Sequence, residues 1–320
     1  MGSTVKKIAL LSGGGDCPGL NAVIRTITKT AISKYGYEVI GFVYGYRGLY
    51  HNNYVELTEE SVEDIYKEGG TILYSSNKDN LFDYLVDDGH GGKVKKDVSD
   101  VAVENLKKDG VDVLVILGGD GTLTSARDFS RKGVNVIGVP KTMDNDLAST
   151  DVTYGFISAM SVGTEFIDRL QTTAKSHHRV ICCELMGRDA GYIALWCGMA
   201  TGAEDILIPE SFDGNLPKVE QQIIEHLLRN RAKGKTHHMV INAEGVGHSY
   251  SMAKRIESAT GIETRATILG HMQRGGSPTA KDRVYASMMG AYAVDLLLEG
   301  KTDRVVAYKN GEYVDYDIDE

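Results

Sequence analysis

The sequence lacks the features that mark several large classes of protein. Its 320 residues include only five prolines, one tryptophan and four cysteines. No apolar run approaches the roughly 18 residues of a membrane-spanning helix, and the apolar stretch near the N-terminus is too short for a secretory signal. The 35 basic and 44 acidic side chains give a net charge of −9 and form no basic stripe. We therefore expect a soluble protein that binds neither membranes nor nucleic acids.

Cysteine and histidine spacing also excludes familiar site types. Cys17, Cys182, Cys183 and Cys197 contain no CxxC pair, and the nine histidines include no HxxxH spacing. The adjacent pair at 182–183 lies in an apolar stretch, where cysteine behaves as a small hydrophobic residue. The pattern predicts a protein without disulfides from a reducing, cytoplasmic environment.

Apolar runs and glycines are abundant, and they alternate with amphipathic stretches. The 37 glycines cluster at the ends of apolar runs. The predicted strands are 7–12, 37–44, 111–119, 134–140, 178–187, 205–210, 237–245 and 263–271. The predicted helices are 19–35, 156–171, 216–233 and 280–299. This alternation predicts a doubly wound α/β architecture, in which ligands bind at the carboxyl ends of the strands.

Two glycine-rich segments follow predicted strands. "LLSGGGDCPGLN" (10–21) suits either a tight β-to-α turn or an anion at a helix N-terminus, and the residues do not separate these alternatives. It matches neither GxGxxG nor a Walker A loop. "ILGGDGTLTSA" (116–126) places Asp120 among glycines and hydroxyls. That pattern is typical of Mg²⁺ bound to phosphate oxygens, the alternative being a simple helix N-cap.

A third unusual segment, "GVPKTMDNDL" (138–147), sets a cation, a hydroxyl and two carboxylates at the end of a predicted strand. If the backbone stays extended there, Asp144 and Asp146 face the same side. In "ETRATILGHMQR" (263–274), an extended strand would likewise direct Arg265 and His271 to one face, with Arg274 just beyond. Basic side chains near one sheet edge, in an acidic chain, favour phosphate binding.

In order, "GGDGT", "PKTMDND", "MGRDAG", "AEG" and "ETRATILGHMQRGGSP" resemble the motifs of the bacterial-type, ATP-dependent 6-phosphofructokinases. The resemblance extends from "SGGGDCPGLNAVIR" to "GAYAVDLLLEG". It implies transfer of the γ-phosphoryl group of ATP to the 1-hydroxyl of fructose 6-phosphate, with Mg²⁺ as cofactor. It also implies a homotetramer whose active sites are shared between subunits.

The resemblance assigns roles to individual residues. Asp144 would be the general base, and Thr142, Lys141 and Arg188 would complete the catalytic set. Asp120, helped by Asp146, would hold Mg²⁺. The nucleotide side would comprise Gly14, Gly15, Tyr46, Asn77, Lys78, Gly118, Gly119, Asp120, Gly121 and Thr122. The sugar phosphate would be bound by Thr142, Asp144, Asp146, Met186, Gly187, Arg188, Glu244, His271 and Arg274, with Arg179 and Arg265 reaching a neighbouring subunit.

The same resemblance bears on the phosphate donor. Pyrophosphate-using relatives carry an aspartate immediately after the metal-binding aspartate, whereas this chain has Gly121, which leaves room for a nucleotide. Lys141 is the residue found in pyrophosphate users. Asn77 stands where many ATP-dependent relatives have an arginine, and Lys78 is its neighbour. We expect ATP to be the donor, with pyrophosphate as the alternative.

An effector site is the remaining expectation. Arg25, Glu204, Lys233 and Lys235 match a family site for ADP or phosphoenolpyruvate, whereas Asn53 and Gln171 replace expected arginines. We therefore expect weak or altered allostery.

The lobes implied are 1–155 plus about 273–300 for the nucleotide and 156–272 plus about 301–320 for fructose 6-phosphate, with the active site in the cleft between them. A non-catalytic sensor on the same fold is a further alternative. A lipid or NAD kinase is disfavoured by the motif at 270–278.

Overall fold

The computed structural model describes residues 5–320; the first four residues of the predicted nucleotide lobe lie outside this range. The strands are β1 (Lys7–Ser12), β2 (Glu38–Phe42), β3 (Tyr54–Glu56), β4 (Tyr84–Asp87), β5 (Lys93–Lys96), β6 (Val113–Gly118), β7 (Val136–Pro140), β8 (Val180–Leu185), β9 (Asp205–Leu207), β10 (His238–Ala243), β11 (Thr264–Ile268), β12 (Arg304–Lys309) and β13 (Glu312–Asp317). The helices are α1 (Leu20–Lys29), α2 (Tyr46–His51), α3 (Ser99–Lys108), α4 (Asp120–Ser130), α5 (Phe156–His177), α6 (Tyr192–Thr201), α7 (Leu216–Ala232), α8 (Ser249–Thr260) and α9 (Ala280–Leu298).

The chain divides into two compact units. The first contains the described residues up to Thr142 together with Leu147–Gly155 and Gly276–Glu320. The second contains Met143–Asp146 and Phe156–Gly275. No helix within residues 5–320 combines the length and the apolar character needed to cross a membrane.

A seven-stranded sheet with the order β13-β12-β7-β6-β1-β2-β3 forms the first unit. Its inner strands are parallel, and β3 and β13 are antiparallel edges. Every residue of β6 is buried, as expected for a strand covered on both faces. The pairs Ser12↔Leu117 and Gly118↔Pro140 bring the carboxyl ends of β1, β6 and β7 side by side. The loops that follow these three strands are therefore neighbours at one sheet edge.

The second unit has a four-stranded parallel sheet with the order β11-β8-β10-β9. Its core packs Val180 and Val240 of the sheet against Ile223 of α7 and Ile256 of α8. The pairs Leu185↔Ala243 and Glu184↔Ile268 align the carboxyl ends of β8, β10 and β11. The predicted α/β architecture of two doubly wound lobes is confirmed in each unit.

Two parts of the predicted domain division are wrong, and the shorter is Met143–Asp146, which was expected in the first lobe but belongs to the second unit. Residues 301–320 were expected in the second lobe, but β12 pairs in parallel with β7 of the first sheet and β13 extends that sheet. Val306 and Ala307 are fully buried there, so the pairing is stabilised by apolar contact. The Asn310-Gly311 dipeptide between the two strands is a hairpin signal that the sequence prediction did not use.

Candidate active site

The glycine loops of the first unit are tied together by backbone hydrogen bonds. Gly13 N donates to Leu117 O at 2.9 Å, and Gly14 N donates to Ser76 O at 3.1 Å. A Cβ on Gly118 would lie 2.2 Å from Thr122 Cγ2, so only glycine allows the chain to pass this side chain. Three loops thus converge at the carboxyl ends of β1 and β6.

Lys141 is a buried cation at this edge, only 3% exposed. Its backbone N–H donates to Gly118 O at 2.8 Å, which continues the β6–β7 pairing. Its ammonium group donates to the carbonyl oxygen of Gly15. A Cβ on Gly14 would lie 3.4 Å from the same ammonium group. The structure therefore brings the predicted residues Gly14, Gly15 and Lys141 together around one positive charge.

Asp120 is the first residue of α4 and is exposed. The helix places backbone N–H groups and the positive end of its dipole beside this carboxylate. Gly121 follows, and a Cβ built on it meets no atom within 4 Å. Tyr46 holds this loop in place through a hydrogen bond, because its buried hydroxyl donates to Thr122 O at 2.8 Å. Burial raises the pKa of Tyr46, so this hydroxyl stays a hydrogen-bond donor.

A cavity of about 430 Å³ opens beside the glycine loop. Gly14, Gly15 and Asn77, three of the predicted nucleotide-side residues, line it. Lys78 is exposed next to Asn77. The volume lies in the range of ordinary ligand sites, roughly 300–1,000 Å³.

The segment after β7 is not extended. The prediction that Asp144 and Asp146 face the same side required an extended backbone there. Asn145 has a φ of 55°, in the left-handed region, and this interrupts the alternation of side chains. Asp144 is 9% exposed, whereas Asp146 is exposed. Thr142 is 9% exposed and ends the part of this segment that belongs to the first unit. The two carboxylates therefore occupy different environments.

In the second unit, Glu244 holds the loop after β8. Its Oε1 accepts hydrogen bonds from the backbone N–H of Gly187, at 3.2 Å, and from that of Arg188. Arg188 has a φ of 55°, which is uncommon for a long side chain and typical of functional loops. The Arg188 side chain is exposed, and its Nε lies 3.5 Å from Asp189 Oδ2. The predicted residues Gly187, Arg188 and Glu244 thus form one connected group.

Gln273 is a residue that the sequence prediction missed. It is fully buried, and its Oε1 accepts the N–H of Met186 at 2.9 Å. It lies in a 3₁₀ turn at Gly270–Gln273, between the predicted residues His271 and Arg274. This one amide therefore connects the loop after β8 with the loop after β11. The motif "GHMQR" contained it, but nothing in the sequence indicated which backbone group it would bind.

The basic residues next to β8 and in and after β11 are only partly placed as predicted. Arg179 Nη2 lies 3.3 Å from Glu263 Oε1, and Arg265 Nη2 lies 2.9 Å from the same oxygen. The structure therefore brings these two arginines together on one carboxylate. The predicted shared face of Arg265 and His271 is wrong, because β11 ends at Ile268 and Leu269 already has helical backbone angles.

Three of the four residues of the expected effector site, Arg25, Glu204 and Lys235, have side-chain partners of their own. Arg25 Nε donates to Glu63 O at 2.9 Å, and its guanidinium lies 5.2 Å from the Tyr66 ring centroid. In the second unit, Lys235 forms an ion pair with Glu204, while Lys233 is exposed at the end of α7. An effector role for this set stays a prediction.

The four cysteines lie in the interior of the protein. All four are free and buried. Burial raises the pKa of the Cys182 and Cys183 thiols to about 12, so they remain protonated and unreactive.

Among residues 5–320, no three His, Cys, Asp or Glu side chains are grouped to hold a metal by themselves.

The strand-end loops, the buried lysine and the cavity belong to an α/β protein, and comparison with known proteins identifies its family. The family model described as Phosphofructokinase matches residues 7–297. The chain belongs to the phosphofructokinase family.

Named relatives agree with this assignment. ATP-dependent 6-phosphofructokinase 2 of Clostridium perfringens is 52% identical, over 98% of this chain and 90% of the relative. ATP-dependent 6-phosphofructokinase 1 of the same organism is 45% identical, over 99% of this chain and 93% of the relative.

Solved structures show the same fold. Phosphofructokinase from Saccharomyces cerevisiae is 30% identical with a TM-score of 0.85; the match covers 98% of this chain and 45% of the yeast chain. A pyrophosphate-dependent phosphofructokinase from Marinobacter aquaeolei is 21% identical with a TM-score of 0.81, over 99% of this chain and 83% of that chain. At that identity the second match indicates the fold alone.

Proposed function

We infer that this chain is an ATP-dependent 6-phosphofructokinase. It transfers the γ-phosphoryl group of ATP to the 1-hydroxyl of fructose 6-phosphate, giving fructose 1,6-bisphosphate and ADP in glycolysis. Two relatives that share 45% and 52% of its residues bear this name. The structural observation that carries the choice of donor is the open space beside Gly121, at the start of α4. An aspartate in that position, as in pyrophosphate users, would add bulk and negative charge where a nucleotide's phosphates need room.

We assign the nucleotide side to the first unit. The glycine loops offer backbone N–H groups, and the N-terminus of α4 favours an anion. The Lys141 ammonium group is held by Gly15 at the same edge and is aimed at the glycine loop. Because phosphoryl transfer has a loose transition state, fixed positive charge and positioning contribute more than a strong base. Lys141 and Thr142 therefore serve to neutralise and orient the transferring group.

The sugar phosphate is assigned to the second unit. Arg188 and Arg274 supply guanidinium groups, which bind phosphate through paired N–H donors. Glu244 fixes the loop that carries Arg188. Met186 and His271 belong to the two loops that Gln273 connects. Asp144 is the general base that accepts the proton of the 1-hydroxyl, and its burial limits competition from water.

Magnesium fits the carboxylates that these residues supply. Mg²⁺ commonly binds one or two protein carboxylates and completes its shell with phosphate oxygens and water, so a three-ligand protein cage is not required. Asp120 and Asp146 are both exposed and are the candidate ligands. When bound, the ion neutralises charge on the donor phosphates.

Assembly and location are further parts of the proposal. We propose a cytoplasmic homotetramer in which Arg179 and Arg265 contribute to a neighbouring subunit's active site. In support, the side chain of Arg265 is 53% exposed, which leaves it accessible to a neighbouring subunit.

The donor is tested by a coupled assay with fructose 6-phosphate and Mg²⁺, in which ATP and pyrophosphate are offered in turn. We expect turnover with ATP and at most trace turnover with pyrophosphate. Turnover with pyrophosphate alone would favour the alternative, a pyrophosphate-dependent phosphotransferase. Turnover with neither donor, together with tight binding of fructose 6-phosphate, would favour a non-catalytic sensor.

Gln273→Leu tests the connection between the two sugar-phosphate loops. The change leaves the Met186 N–H buried without its acceptor, which costs about 1–3 kcal/mol. We expect the KM for fructose 6-phosphate to rise roughly 5- to 150-fold, while the KM for ATP changes little.

The matched control for this experiment is Gln221→Leu, which removes an exposed amide that bonds to Glu225 on α7. Equal increases in both KM values for Gln273→Leu would indicate general destabilisation rather than a positioning role.

A further inference from the structure

Two stacked tyrosines beside the glycine loop have an unusual backbone. Tyr44 has a φ of 65° and Tyr74 a φ of 54°, and both values are rare for bulky side chains. Their ring centroids are 5.0 Å apart with an interplanar angle of 17°. Both rings are nevertheless accessible, since Tyr44 is 42% and Tyr74 56% exposed. Two tyrosines with unfavourable backbone conformations thus form an aromatic stack that is exposed to solvent.

The backbone around the stack is fixed to the carboxyl end of β1. Tyr44 N donates to Leu73 O at 2.8 Å. Ser12 Oγ, at the last residue of β1, donates to Tyr74 O at 2.9 Å. Strained conformations persist only where the surrounding structure imposes them, and they concentrate at binding sites. These hydrogen bonds set the position of the rings relative to the glycine loop that follows β1.

The stack and the glycine loop face the same cavity. Tyr44 and Tyr74 line the space of about 430 Å³ that Gly14, Gly15 and Asn77 also line. One part of the lining is therefore the glycine loop that holds the positive charge of Lys141, and another part offers flat aromatic surface. Arg47 lies with its guanidinium 6.0 Å from the Tyr44 ring centroid, which backs the stack with a cation. Tyr74 is the more exposed ring of the pair.

We propose that Tyr74, backed by Tyr44, is the platform on which the base of the donor nucleotide stacks. The assignment rests on the proposed function, because it takes the donor to be a nucleoside triphosphate. A ligand with an anionic end and a planar aromatic end matches the two kinds of surface in this cavity. Pyrophosphate has no group for the aromatic surface, so the platform also gives the donor site a preference for nucleotides.

Tyr74→Ala tests the platform through the KM for ATP and the dissociation constant of ADP, measured by calorimetry. Stacking of a base on an aromatic ring contributes enough binding free energy that its loss should raise the KM for ATP and the dissociation constant of ADP about tenfold each. The KM for fructose 6-phosphate and the affinity for inorganic tripolyphosphate, which lacks a base, should not change. Tyr74→Phe keeps the ring and should behave as the wild type. Tyr74→Leu keeps apolar bulk without the ring and should repeat the loss seen with alanine.

Tyr54→Ala is the matched control, because Tyr54 is 37% exposed in the same unit and its ring packs on Phe42 instead. Unchanged ADP affinity in Tyr74→Ala or Tyr74→Leu would overturn the platform. An equal loss of ADP and tripolyphosphate affinity would also overturn it, since the residue would then act through the phosphate loop. A wild type that binds ADP but lacks ATP-dependent turnover would refute the proposed function and leave the platform measurable by ADP binding.

Discussion

Asp144→Ser and Asp144→Asn are expected to lower kcat by roughly 10²- to 10⁴-fold while fructose 6-phosphate still binds. General-base catalysis contributes roughly 10²- to 10⁴-fold, and both changes remove the only proton acceptor that we assign to the 1-hydroxyl. Asp144 is 9% exposed, so water is a poor substitute at this position. The measurement is kcat at saturating ATP and fructose 6-phosphate, together with the calorimetric affinity for fructose 6-phosphate.

The asparagine variant keeps the volume of the side chain and therefore separates loss of the base from loss of packing. Asp64→Ser serves as a control, because its carboxylate is 77% exposed and makes only a local ion pair with Lys67 at 3.7 Å. A variant at position 144 that retains wild-type kcat would show that another group accepts the proton.

Gly121→Asp is expected to lower kcat/KM for ATP by on the order of 10²- to 10³-fold, because unit charges about 4 Å apart repel by about 4 kcal/mol at an effective dielectric of 20. The fold itself should accept the change. A Cβ on Gly121 meets nothing within 4 Å, and an acidic side chain in the first turn of α4 interacts favourably with the helix dipole. The thermal midpoint should therefore stay at or slightly above the wild-type value.

Gly121→Asn adds nearly the same volume without the charge, so it separates repulsion from steric exclusion. We expect a loss well below that of the aspartate variant. If Gly121→Asp used ATP as efficiently as the wild type, the space beside Asp120 would not be the determinant of the donor.

The parts of the fold that followed from the sequence are those where one local property decides the structure. β6 is apolar throughout and is buried throughout, so its continuous pattern identified a central parallel strand. The strands of the β12–β13 hairpin are rich in charge and tyrosine, and they were missed because their pairing with β7 depends on a contact distant in the sequence.

The site followed the same rule. The glycine loops and the segment at 138–147 were recognised as candidate site segments from their composition. The structure places them at neighbouring strand ends. The different exposure of Asp144 and Asp146 was not predictable, because it depends on the left-handed conformation of one residue, Asn145. The roles of Gln273 and of the Tyr44–Tyr74 stack were not predictable from the sequence either. They depend on contacts with residues distant in the sequence, which only the structure shows.

The division of the chain limits how this enzyme can be dissected. Most of the second unit is the continuous stretch Phe156–Gly275, but the tetrapeptide Met143–Asp146 reaches it from a separate place in the sequence. A fragment cut at 156 and 275 would carry Arg188, Glu244 and Gln273 yet lack the proposed base. If recombination exchanged such a fragment between related genes, the recipient protein would receive new sugar-phosphate-binding residues. It would keep its own general base, because Asp144 lies outside the fragment.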